Sequence, residues 1–113
     1  MSPITTHVLD TMRGRPASDV PVILETRRDA AWRQVGHGRT DADGRLRTLL
    51  PEDDPAPPGI YRLTFDTADY FAAADLQSFY PRVVIEFIVV SGETHYHVPL
   101  LLSPFGYTTY RGT

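Results

Sequence analysis

The sequence predicts an all-β domain, a β-sandwich carrying one short helix, and three observations predict it. Seven or eight short runs rich in Val, Ile, Thr, Tyr and Phe alternate in polarity with a period of two. Turn clusters of Gly, Pro, Asp and Ser separate these runs at sandwich-like spacing. Only residues 67–77 have a helical pattern.

The elements follow in order. Residues 4–10 form the first strand, in which Ile4, Thr6 and Val8 share one face and Thr5, His7 and Leu9 the other. Residues 13–19 are a turn cluster. Residues 20–27 are the second strand, with Val20, Val22 and Leu24 on one side. Residues 31–37 are the third and carry the sole tryptophan, Trp32. Asp43-Gly44 is a hairpin signal, because glycine tolerates the positive φ that a tight turn needs. Arg45 then opens a fourth strand over residues 45–50. Residues 51–59 hold four prolines and three acids and read as surface loop. Residues 59–66 are the fifth strand, with Tyr61, Leu63 and Phe65 opposite Ile60, Arg62 and Thr64. In the helix over 67–77, Thr67 is the expected N-cap and Asp69 suits the first turn. Residues 83–90, 94–102 and 105–110 complete the set, with Ser91-Gly92-Glu93 and Ser103-Pro104 as the breaks.

Length and composition narrow the function. The 113 residues make room for one domain, taken as 1–113, with little surplus core, so oligomerisation would help it. At 42% hydrophobic and 22% charged the chain is not of the disordered class. A net charge of −3 argues against a broad nucleic-acid footprint. The absence of cysteine excludes a disulfide scaffold, a thiolate nucleophile and a Cys-ligated zinc. No signal peptide is visible in Met1-Ser-Pro-Ile-Thr-Thr-His, and no apolar run reaches membrane-spanning length. A cytoplasmic protein without membrane contact is the expectation.

The residues with chemical potential cluster late in the chain. His95 and His97 lie two apart on one strand face. Such a pair presents two imidazoles to a substrate or a metal, or leaves one solvated and the other satisfied in the core. A zinc site needs a third ligand, and His7 and His37 are the only other histidines. Arg45 follows the Asp43-Gly44 turn, and by itself reads as a surface arginine pairing with a neighbouring acid, an interaction worth little energetically. Tyr110-Arg111-Gly112-Thr113 closes the sequence with a phenol, a guanidinium and a hydroxyl, placed as if for use although chain ends are commonly frayed. No nucleophile elbow, phosphate loop or dinucleotide fingerprint is present.

Taken together, these segments resemble the 5-hydroxyisourate hydrolases, the transthyretin-like enzymes of urate breakdown. The matching residues are Thr6-His-Val-Leu-Asp-Thr11 with Gly14 and Pro16-Ala17; Gly38-Arg-Thr with Asp43-Gly-Arg45; Gly59-Ile-Tyr-Arg-Leu-Thr-Phe-Asp66 with Tyr70-Phe71; Tyr80-Pro-Arg-Val83; and His95 through Thr113. They span nearly the whole chain. The resemblance implies a transthyretin-like sandwich of two four-stranded sheets, assembled as a homotetramer, a dimer of dimers, with sites in the channel between dimers. It places the family's catalytic histidines on His7 and His97 and its substrate-gripping arginine on Arg45. It makes Tyr110 a substrate contact and Arg111, Gly112 and Thr113 shapers of the pocket, with no metal and no cofactor. Hormone-carrying transthyretins lack the two histidines, the arginine and this terminus. Thr113 departs from the family's usual terminal serine, keeping the hydroxyl and adding a methyl. The implied reaction is hydrolysis of the lactam bond of 5-hydroxyisourate. The alternatives are a transthyretin-like small-molecule binder and a metal-dependent hydrolase.

Overall fold

The computed structural model describes residues 2–113. Their elements, in chain order, are β1 (Ile4–Asp10), β2 (Arg15–Pro16), β3 (Pro21–Arg28), β4 (Ala31–Arg39), β5 (Arg45–Leu46), β6 (Gly59–Phe65), α1 (Thr67–Ala73), β7 (Val83–Val89), β8 (Tyr96–Ser103) and β9 (Gly106–Thr109). One sheet is the antiparallel set β4–β3–β6–β7. The other runs β2–β1–β8–β9, and β5 also pairs with β1. β2 lies against Leu9 and Asp10, whereas β5 lies against Thr6 and His7. Since β8 occupies the opposite edge of β1, β2 and β5 share one edge at different heights, and the sheet is nowhere wider than four strands.

The sandwich closes because each inner face is apolar. Ile4 and Val8 of β1 and Leu100 and Leu102 of β8 are buried in one cluster with Val22 and Leu24 of β3 and Leu63 and Phe65 of β6. Burying an aliphatic or aromatic side chain of this size is worth about 1.5–3 kcal/mol, so this shared core fixes which face of β1 and β8 turns inward. A slip of one residue would expose the whole set. Strand alternation therefore commits Thr5 and His7 of β1, and His97 of β8, to the outward face.

Three expectations require correction. The Asp43-Gly44 turn does not join a hairpin, because β4 pairs in one sheet and β5 in the other. It is instead a tight sheet-to-sheet crossing, with Gly44 at φ +75° and its carbonyl accepting the Val8 N–H at 2.8 Å. The fourth strand is two residues long, not six. Past Leu46 the chain dives inward to bury Leu49 and Leu50, and the Leu49 carbonyl packs where a side chain on Gly36 would stand. Finally, Thr67 is inside α1 and buried. The cap is Asp66, whose carboxylate accepts the Asp69 N–H at 3.1 Å, and the helix ends at Ala73 rather than Gln77.

Candidate active site

The outward face of the β1–β8 sheet gathers residues from four parts of the chain. β1 and β8 run parallel with Thr5 opposite His97 and His7 opposite Pro99. On the other edge of β1, Arg45 of β5 is the partner of His7. The segment after β9 returns to this sheet, where the Gly112 N–H donates to the His97 carbonyl at 2.8 Å. Sequence positions 7, 45, 97 and 112 thus become neighbours through two short ladders and one bridge.

An open cavity of about 420 Å³ lies over this face, lined by Thr5, Thr6, Arg45, Arg47, His95, His97 and Thr113. Three of these were not expected in the site: Thr5, Thr6 and Arg47. Thr5 shares the His7 face by simple alternation, and that was the available signal. His95 lies one residue before β8, yet its ring is nearly parallel to that of His97, with centroids 6.4 Å apart and planes at 12°. His37 sits on β4 in the other sheet and takes no part. Ser103 donates to the Gly106 carbonyl at 3.0 Å within the β8–β9 turn, a structural role.

The ring of His7 and the turn before Arg45 are held by hydrogen bonds. His7 Nε2 is 2.8 Å from the Asp43 carbonyl. A carbonyl only accepts, so His7 carries its proton on Nε2, and in the neutral ring Nδ1 has the free lone pair. The turn that supplies this carbonyl is itself braced. Asp41 accepts the backbone N–H groups of Asp43 and Arg45, both at 2.9 Å. These bonds, the one from Arg45 foremost, hold the Asp41 carboxyl below the ordinary carboxylate range. Gly112 fits because it has no side chain: a Cβ there would lie 2.7 Å from His97 Cδ2 and 3.0 Å from Pro99 Cγ.

Tyr110 and Arg111 are placed differently. The Arg111 guanidinium stacks 4.7 Å over the Tyr96 ring and pairs with Glu93 at 3.5 Å. Both residues border a second cavity with Ile85, Phe87 and Ile88. Neither Tyr110 nor His7 is among the residues that line the histidine cavity of the single chain, although His7 stands near enough to His97 for its charge to lower the His97 pKa.

The electrostatics favour neutral imidazole. Burial pushes the His97 pKa below the usual 6.5, and the nearby His7, His95 and Arg45 charges push in the same direction. NMR titration of His97 is therefore expected to show an inflection below 6.5; one at or above that value would refute this environment. The sign for stability follows. Below pH 6.5 the unfolded chain binds a proton at this position that the folded chain resists. The associated stability is present above 6.5 and is lost as the pH falls through the folded value.

The fold is a two-sheet β-sandwich whose β1–β8 sheet carries His7, His97 and Arg45 on neighbouring strands beside an open cavity. The chain belongs to the HIUase/Transthyretin family, whose model matches residues 4–112. It is 46% identical over 110 residues to a 5-hydroxyisourate hydrolase of Salmonella dublin, covering 97% of this chain and 80% of that protein. Among solved structures it resembles the 5-hydroxyisourate hydrolase of Klebsiella pneumoniae, with a TM-score of 0.87, 38% identity and 100% of both chains covered. It equally resembles sea bream transthyretin in complex with thyroxine, with a TM-score of 0.91, 34% identity, and 98% of this chain and 95% of that one covered. The backbone therefore does not separate enzyme from carrier, and the side chains on the outward face must.

Proposed function

We propose that this protein hydrolyses 5-hydroxyisourate, opening the lactam of the six-membered ring to a ureido-imidazoline carboxylate in urate breakdown. The observation that carries the reading is the convergence of His7, Arg45 and His97 on one face of β1 and its neighbours. Relatives named for this hydrolysis, alike over nearly the whole chain, support it. A carrier needs no such convergence.

The chemistry follows from the residue types. Water must lose a proton as its oxygen bonds to the lactam carbon. The carbonyl oxygen gains charge, and the ring nitrogen takes a proton as its bond to that carbon breaks. An imidazole can take and return a proton or donate a hydrogen bond at neutral pH, and the His7–His97 pair is assigned this work as a unit. Arg45, permanently charged and planar, orients the substrate's carbonyl edge and stabilises the developing negative charge. Thr113 and the backbone of Gly112 close one wall. Among the described residues no group of three or more His, Asp or Glu is placed to hold a metal ion.

The functional unit we infer is a cytoplasmic homotetramer, a dimer of dimers. The site lies on an exposed sheet face, and a second copy facing it would exclude water from the cavity. The edge strand β7 also leaves Ile88 68% exposed and Val84 44% exposed, apolar surface suited to a subunit contact.

The deciding experiment follows ultraviolet absorbance of 5-hydroxyisourate generated in situ from urate. Decay many-fold faster than in buffer, unchanged by EDTA, is the expected result. Decay no faster than in buffer, from correctly folded protein, would leave a transthyretin-like binder. Loss of activity to the chelator would establish the metal-dependent alternative. In the same assay, a bulky tag fused after Thr113 is expected to lower turnover, because Thr113 lines the cavity. Full activity with the tag would remove that wall from the site.

A further inference from the structure

Thr5 has no part in the assignment above, yet its hydroxyl bonds the rings of both His95 and His97. It is only 2% exposed. Its Oγ1 lies 2.8 Å from His97 Nδ1 and 3.2 Å from His95 Nε2. The backbone makes this contact obligatory, because Thr5 is the register partner of His97 across the parallel β1–β8 pair.

A hydroxyl has one proton, so Thr5 donates to one of the two rings and accepts from the other. The distances choose the direction. O–H···O bonds cluster near 2.7–2.8 Å and N–H···O bonds near 2.9–3.0 Å, so of the two contacts the 2.8 Å one better suits a hydroxyl donor and the 3.2 Å one a ring N–H donor. The shorter contact is thus Thr5 O–H donating to His97 Nδ1, and the longer is His95 Nε2–H donating to Thr5 Oγ1. No other polar atom of the described residues bonds to this hydroxyl. A neutral His97 whose Nδ1 accepts a proton donor carries its own proton on Nε2, and that nitrogen has no partner among the described residues. His7 is fixed in the complementary sense, with a free lone pair on Nδ1.

We propose that Thr5 is a positioning residue that locks neutral His97 as the Nε2–H tautomer, making His97 a hydrogen-bond donor and leaving His7 as the base. Resting on the hydrolase reading, the step balances as follows. His7 Nδ1 takes a proton from water as the oxygen bonds to the lactam carbon. The carbonyl electron pair moves onto oxygen, which His97 Nε2–H and Arg45 stabilise. The oxyanion's electron pair then re-forms the carbonyl as the carbon–nitrogen bond breaks, and the His7 imidazolium returns its proton to the leaving ring nitrogen. His97 gives up no proton, so no imidazolate forms.

The test has a readout independent of activity. In wild-type protein with ¹⁵N-labelled histidine, NMR above pH 7 is expected to show His97 protonated at Nε2, with a hydrogen-bonded, unprotonated Nδ1. Protonation at Nδ1 would overturn the proposal without any variant. Thr5→Val, which keeps the shape and removes the hydroxyl, is expected to abolish the Nδ1 hydrogen-bond signature. It should lower kcat about tenfold while leaving KM within about twofold, the pattern of an interaction made in the transition state. Thr5→Ser should restore both. Wild-type kcat in Thr5→Val, or equal loss in both variants, would reduce Thr5 to packing. If Thr5→Val does not fold, the wild-type spectrum and Thr5→Ser decide. The expected tautomer in a protein without hydrolase activity would sink the hydrolase reading and leave the positioning role of Thr5 standing.

Discussion

His97→Asn is expected to lower kcat for 5-hydroxyisourate about 10²–10³-fold, the usual cost of removing one donor aimed at a developing oxyanion. The substitution suits the site. His97 is flanked on β8 by the buried Tyr96 and Val98, and its backbone carbonyl, not its ring, accepts the Gly112 N–H. Asparagine keeps that backbone bond, and its side-chain oxygen can still accept from Thr5. The fold, the closing segment after β9 and the subunit assembly should therefore persist, as gel filtration and circular dichroism would show. What is lost is a ring nitrogen reaching into the cavity. A uniform loss in kcat and kcat/KM marks a contact made only in the transition state, whereas a rise in KM alone would make His97 a binding group. Near-normal turnover would remove His97 from the mechanism.

How much of this site the sequence reveals depends on the kind of contact. β1 is legible to the residue, because Ile4, Thr6 and Val8 alternate against a core that leaves no other register. The strand-crossing turn is half legible. Asp43-Gly44 marks a positive-φ turn, but a hairpin and a sheet-to-sheet crossing share that local signature, and only the partners of β5 distinguish them. The shortness of β5 is not legible, since Arg47 to Leu50 leave the ladder to fill a space made by Gly36, eleven or more residues earlier. Thr5 illustrates the general limit. As a residue type it reads only as a strand former. Its chemical meaning comes from a parallel pairing with His97 that spans 92 residues, and no local pattern encodes it.

Arg45 offers the second large effect, and two substitutions separate its charge from its shape. Its backbone is pinned by Asp41 at 2.9 Å and its register by His7, so neither change should disturb the turn. Arg45→Met keeps the aliphatic stem and removes the guanidinium, and is expected to lower kcat/KM by about 10²–10³. Arg45 is also one of the charges, the smallest contributor after burial, His7 and His95, that hold the His97 pKa down. Arg45→Met should therefore move the NMR titration of His97 slightly upward. Arg45→Lys keeps the charge but replaces a planar fork by a point donor. If Arg45 acts by gripping the carbonyl edge of the substrate, Lys should lose most of the activity while leaving the His97 titration where it was. If Lys retains full activity, charge alone suffices and the fork geometry has no role. If even Met is active, Arg45 is a surface arginine, and stabilisation of the oxyanion must come from His97 or from Arg47, the other guanidinium lining the cavity.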